Sequence, residues 1–232
     1  MKKTSKIFAV KSVCIAALCT VLLALTSCTF LMSENNNPRT AWKKFSEYIS
    51  QGNLSAAFDM TQNGSISLQS ADGSENAELI IKSIADSYSY EFMLDTKAFG
   101  LSASQEISIT ALDMRKLAEK AVVGAVEDAK EYAHKNGSYK TDEEVNAAVN
   151  TKIIELLTSP SDCLSTTVIN VEFLYIDGQW KPVMSDELYQ VLSGYSSETE
   201  AAVSECIRKI NEENAKNSES TENTESTLSS QS

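Results

Sequence analysis

The segment from Thr166 to Val183 restricts the fold most. Thr166 to Ile176 is rich in β-branched and aromatic residues, Asp177-Gly178 follows, and Gln179-Trp180-Lys181-Pro182-Val183 returns. Such side chains suit a pleated, half-buried surface, and Asp-Gly supplies the left-handed conformations of a tight hairpin turn. The segment therefore predicts an antiparallel pair, with Ile169, Val171, Phe173 and Tyr175 sharing one face because strand side chains alternate. Pro182 has no N–H to give to a ladder, so the return strand lies at an edge or ends there.

Upstream, the apolar period changes twice. Pro38, just after Asn37, opens a helix with Trp42, Phe45, Tyr48 and Ile49 at three- and four-residue spacing, and Gly52 closes it. A short second helix places Leu54, Ala57 and Phe58 on one face. Ser74 caps a third, through Asp86, expected to bury Ala77, Ile80, Ile81 and Ile84. Strand character then covers Ser87 to Asp95 and Gln105 to Ala111, with Phe99-Gly100-Leu101 as the turn between them. Asp113 opens a long helix striped by Leu117, Ala121, Val122, Ala125, Val126, Ala129 and Tyr132, and Asn136-Gly137 ends it. Thr141-Asp142-Glu143-Glu144 is a capping box that starts a helix through Leu157, ahead of Pro160. This helical pair, residues 113–157, is inserted between strands. Ser185 to Ser193 is a short helix, and Glu198 to Glu213 a last one, with Val203, Cys206, Ile207 and Ile210 in register. Residues 38–213 thus read as one α+β domain.

The two ends are of a different kind. Lys2, Lys3, Lys6 and Lys11 precede an almost uncharged run from Ser12 to Thr26, the pattern of a signal peptide over residues 1–27. The run falls short of the about 20 apolar residues needed to cross a bilayer. Leu25-Thr26-Ser27-Cys28 resembles the lipobox of bacterial lipoproteins, in which the cysteine is diacylated and becomes the mature N-terminus. The resemblance implies a lipid on Cys28 and a protein held at the extracytoplasmic face of the cell membrane. Residues 28–37, with their Asn run, read as a tether. Residues 214–232 are nearly all Ser, Thr, Glu and Asn, too poor in apolar surface to offset backbone ordering, so a disordered tail is expected. Loss of residues 1–27 removes four lysines and no acid, leaving 16 basic against 32 acidic residues, a charge of −16. Such a chain repels nucleic acid and anionic headgroups, which leaves the lipid on Cys28 as the membrane attachment.

A second resemblance covers residues 39 to 193. Trp42 and Phe45 followed by Gly52-Asn53-Leu54-Ser55-Ala56-Ala57, then Tyr88-Ser89-Tyr90-Glu91-Phe92, and finally Asp177-Gly178-Gln179-Trp180-Lys181-Pro182 ahead of Asp186-Glu187-Leu188, resemble exported lipoprotein domains of the nuclear transport factor 2-like superfamily, including forms from Gram-positive bacteria. The resemblance implies a cystatin-like α+β cone, with N-terminal helices packed into a curved antiparallel sheet. The helical insertion departs from the minimal pattern. This superfold hosts enzymes, ligand binders and assembly modules, so it transfers no activity by itself.

Few residues suggest chemistry. Once Cys14 and Cys19 leave with the signal peptide and Cys28 is acylated, Cys163 and Cys206 remain, and two readings stay open: one disulfide, or two plain buried thiols. His134, the sole histidine, falls in the last turn of a helix, where a cation favours the helix dipole. Tyr88, Tyr90 and Asp95 on one strand and Tyr175 on another are the residues from which a Tyr/Asp acid–base pair would be built. Trp42 and Trp180 suit either a core or a ligand pocket. The acidic runs Asp142-Glu143-Glu144 and Glu212-Glu213 lack the alternating ligand loop of a calcium site. There is no Gly-X-Ser-X-Gly, phosphate loop or metal-ligand cluster. The expectation is a non-enzymatic binding or interaction module without cofactor, whose partners are the membrane and an envelope protein, a peptide or a small apolar ligand. The alternatives are an enzyme using the Tyr/Asp pair and a structural envelope lipoprotein without a pocket. Recognition is expected on the insertion between Asp113 and Leu157.

Overall fold

The computed structural model describes residues 36–62, 75–137 and 140–212. The signal peptide, Cys28, the tether up to Asn35, the Ser74 cap and the 214–232 tail lie outside the described residues.

Helix α1, Pro38–Ser50, is capped by Asn37, whose side chain accepts from the Thr40 N–H at 2.9 Å. Helix α2, Leu54–Asp59, is capped in the same way by Asn53. After α3, Glu75–Ser87, come strands β1, Ser89–Phe92, β2, Lys97–Phe99, and β3, Ser102–Leu112. Helix α4, Met114–Asn136, begins at the Asp113 cap and ends at Gly137 with φ 68°. Helix α5, Asp142–Thr158, carries the full Thr141/Glu144 capping box. A 3₁₀ turn, Pro160–Cys163, leads into β4, Leu164–Ile176, which turns through Asp177-Gly178 into β5, Gln179–Pro182. Helix α6, Asp186–Leu192, is capped by Ser185, and α7 spans residues 199–212. Among the described residues the strands run β1-β3-β4-β5, with β2 also on β3. The class is mixed α+β, helices with a strongly curled antiparallel sheet, as expected. β5 lies at the end of that order, which suits Pro182.

The chain divides into two compact units where the sequence reading has one domain. Periodicity identifies an apolar face on each element but not which faces share a core. The first unit combines residues 36–62, Phe92–Ile107 and Ile169–Met184. Its core is aromatic: Trp42, Phe45 and Ile49 from α1 lie buried with Phe58, Ile107, Ile169, Val171, Phe173 and Trp180. The Trp42 ring centre is 5.0 Å from Phe45 and 6.4 Å, edge-on, from Phe173. Tyr175, expected on the same face, is half-buried and meets Trp180 edge-on at 5.4 Å.

The second unit combines residues 75–91, Ser108–Val168 and 185–212. Its helical pair is closed by an aliphatic cluster of Leu112, Leu117, Leu157 and Cys163, against which Ile80, Ile84 and Ile153 pack. The Lys152 stem lies over Gly124 while its ammonium reaches Asp128 and Glu155, so one side chain fills a gap and remains hydrated. These carboxylates raise the Lys152 pKa, first through the Glu155 hydrogen bond.

Several expectations are corrected. Ile81 is 39% exposed, and Ser83 and Ala85 are buried instead. Ile80, Ser83, Ile84 and Ser87 follow the i, i+3, i+4, i+7 spacing of one face, whereas Ile81 and Ala85, four residues apart on another side, differ in exposure, so their burial is set by what packs along the helix and not by its period. Tyr132 and Ile207 are likewise exposed, at the solvent margins of α4 and α7. The strand expected over Ser87–Asp95 is limited to Ser89–Phe92: α3 runs through Ser87, and at the other end the Leu94 carbonyl accepts from the Gln105 side chain. The chain then resumes as β2, Lys97–Phe99 paired with β3, ahead of the Phe99-Gly100-Leu101 turn.

Candidate functional site

Two features of the second unit bear on function. The first is a groove of about 610 Å³ between α4 and α7. Val123 and Val126 on α4 and Cys206 and Ile210 on α7 supply its apolar lining, and Glu119, Glu127, Lys130 and Lys209 its charges. The pattern follows helical spacing, since residues three and four apart stand above one another on each helix. Val123 remains 40% exposed there. Apolar stripes expected on the insertion are thus partly used within the helical pair and partly left facing this groove.

The second feature is an ionic centre at the start of α4. Asp113 is 1% exposed. Its Oδ1 accepts from the Arg115 backbone N–H and Nε, both at 3.0 Å, and its Oδ2 from Arg115 Nη2 and Ser165 Oγ, both at 2.8 Å. Arg115 also donates to Glu198 at 2.6 Å and lies 3.8 Å above the Tyr195 ring, whose hydroxyl bonds Thr167 at 3.0 Å. Burial pushes the Asp113 carboxyl up, but the hydrogen bonds from Arg115 and Ser165 and the guanidinium charge outweigh it and hold the group below its usual range. The Arg115 pKa is raised in turn, first by its bond to Asp113. All four acceptor positions of the carboxylate are occupied, so this centre binds α4 to its neighbours and offers no lone pair to a substrate. Gly194 completes the seam: its carbonyl accepts from the Met114 N–H at 2.8 Å, and a Cβ there would sit 2.6 Å from the Leu112 carbonyl oxygen. From sequence alone Asp113 reads only as a helix opener. The signal for more was the arginine two residues on, which reaches back to its own cap.

The Tyr/Asp candidates are dispersed. Tyr88 and Tyr90, in the second unit, lie against each other with centroids 6.2 Å apart. In the first unit the Asp95 carboxylate is fully exposed and 3.5 Å from Arg39, and the Tyr175 hydroxyl accepts from Asn36 at 3.3 Å. Trp42 and Trp180 are core residues. His134 stands exposed in the last turn of α4 beside Lys135, the dipole position expected. Cys163 and Cys206 are free thiols: Cys163 is buried in the aliphatic cluster and Cys206 half-buried in the groove. Burial raises both pKa values, reinforced at Cys206 by the charge of Glu119. Among the described residues no three of His, Cys, Asp and Glu gather as a metal site. No described helix is long and apolar enough to cross a membrane.

No family model matches the chain, and no curated protein matches it. A solved structure similar to it is that of YcdA, a candidate lipoprotein from Bacillus subtilis, with a TM-score of 0.35 and 21% identity over 66% of this chain. The match spans 45% of YcdA, less than half of that protein's length.

Proposed function

We propose that this chain is a lipoprotein anchored through Cys28 at the extracytoplasmic face of the cell membrane, and that its exposed part is a non-catalytic module that binds a peptide or a protein segment in the α4–α7 groove. The groove carries this reading. Its apolar lining matches one face of an amphipathic segment, and its mixed charges match a polar margin. The resemblance to the nuclear transport factor 2-like domains belongs to the same reading, supported by N-terminal helices, a curled sheet and an Asp177-Gly178 hairpin that buries Trp180.

Two experiments test the two halves. Palmitate labelling is expected to mark the wild-type chain and not Cys28→Ser, and equal labelling would end the anchor assignment. An array of amphipathic peptides is expected to retain the wild-type protein and to lose a Val123→Asp variant whose melting is unchanged. Equal retention of the two would remove the groove from the reading.

A further inference from the structure

We propose that the β2–β3 turn, Phe99-Gly100-Leu101, is a second membrane contact that dips into the interface of the bilayer to which Cys28 is tied; the proposal rests on the lipid-anchor reading. Phe99 is 89% exposed and Leu101 59%, two large apolar side chains standing side by side in water. Their turn is firmly built. Phe99 pairs with Ser102, whose hydroxyl donates to the Phe99 carbonyl at 3.0 Å, and Gly100 supplies the left-handed corner at φ 60° with open space around it.

The route of the chain supplies the occupant. The Leu101 carbonyl accepts from the Tyr175 N–H at 2.8 Å. The Asn36 side chain donates to the Tyr175 hydroxyl at 3.3 Å and to the Gly178 carbonyl at 3.2 Å. All of these residues belong to the first unit, so Asn36, the first described residue after Cys28, sits beside the residue that holds the turn. Eight residue steps separate Asn36 from Cys28, which span at most about 29 Å even when fully extended. A lipid on Cys28 thus keeps the bilayer within that distance of Asn36, and the turn is the most exposed apolar feature described in that unit, ahead of Met93 and Leu94.

Charge agrees. Residues 96–105 hold Lys97 and no acid, within a mature chain of net −16. This stretch adds no negative charge of its own to an acidic surface, and a lysine next to an apolar tip suits the interface, where such groups settle about 5–10 Å deep.

The lipidated protein on phosphatidylcholine vesicles, with plain or brominated acyl chains, tests the proposal, with mass spectrometry reading the lipid on Cys28 in the same sample. The emission that Phe99→Trp adds over wild type is expected to shift to the blue and to lose most of its intensity in brominated vesicles. Emission from the buried Trp42 and Trp180 is expected to change little. If Cys28 carries its lipid and the added emission is the same in both vesicles, the turn faces water; the inference then falls and the anchor stands. If Cys28 carries no lipid, the anchor reading fails and the inference with it. A blue shift in the Cys28→Ser, Phe99→Trp chain without vesicles that grows with protein concentration would give the turn to a second copy, and would equally overturn the proposal.

Discussion

Gln105, within β3, and Asp113, just past its end, are each 1% exposed and each met by an arginine, yet the two units satisfy them in opposite ways. In the first unit the amide uses both ends. Its oxygen accepts from Arg39 Nε at 3.2 Å and Thr96 Oγ1 at 2.6 Å, and its nitrogen donates to the Leu94 and Glu106 carbonyls. Arg39 keeps its own charge near the surface, against Asp95 and 5.0 Å from the Phe92 ring centre. No ion is buried. In the second unit a carboxylate is taken out of water, and Arg115, itself 30% exposed, compensates it. A neutral network of this kind is indifferent to acid, whereas a buried carboxylate couples stability to pH.

The largest effect expected is on the aromatic core. Trp42→Ala should lower stability by about 3–5 kcal/mol, with the acid limb of the stability curve unchanged, because nothing titratable is removed from the interior. An unchanged melting midpoint would show that Trp42 is not a core residue.

Asp113→Ala comes next. Removing one partner of a fully buried pair costs about 3–5 kcal/mol, and the solvent access of Arg115 reduces this to roughly 2–3 kcal/mol. The sign of the pH effect follows from the lowered carboxyl pKa. The Asp113 contribution is fully present above the ordinary value of 3.8 and is lost as pH falls through it toward the depressed folded-state value. Urea titrations of wild type and Asp113→Asn over that range should converge toward low pH. Parallel curves would mean that the carboxylate contributes no acid sensitivity.

Gln105→Ala is the smallest, about 1 kcal/mol, since water can reach the exposed side of the Arg39 and Leu94 groups it leaves. Its loss should be the same at pH 7 and at pH 3. A pH-dependent loss would show that the first unit also relies on a buried charge, and would erase the distinction between the two.

Much of the secondary structure was legible because its signals are local. Asn37-Pro38, Asp113, the Thr141/Glu144 box, Gly137 and Asp177-Gly178 each act within a few residues, through a cap or a φ preference that does not depend on the rest of the chain. Pro182 identified an edge strand for the same reason: a missing N–H is a property of the residue itself. The tertiary structure decided what depends on distant partners. Which of Ile80 and Ile81 faces inward, whether the Tyr and Asp candidates meet, and where the apolar stripe of α4 stays open all turn on how neighbouring faces are rotated. Arg115 on Asp113 and Tyr195, with Ser165 and Glu198, joins residues up to 83 positions apart. Sequence alone shows that such residues are polar; only the folded backbone brings them within bonding distance, because the cost of leaving Asp113 unpaired exists only once it is buried.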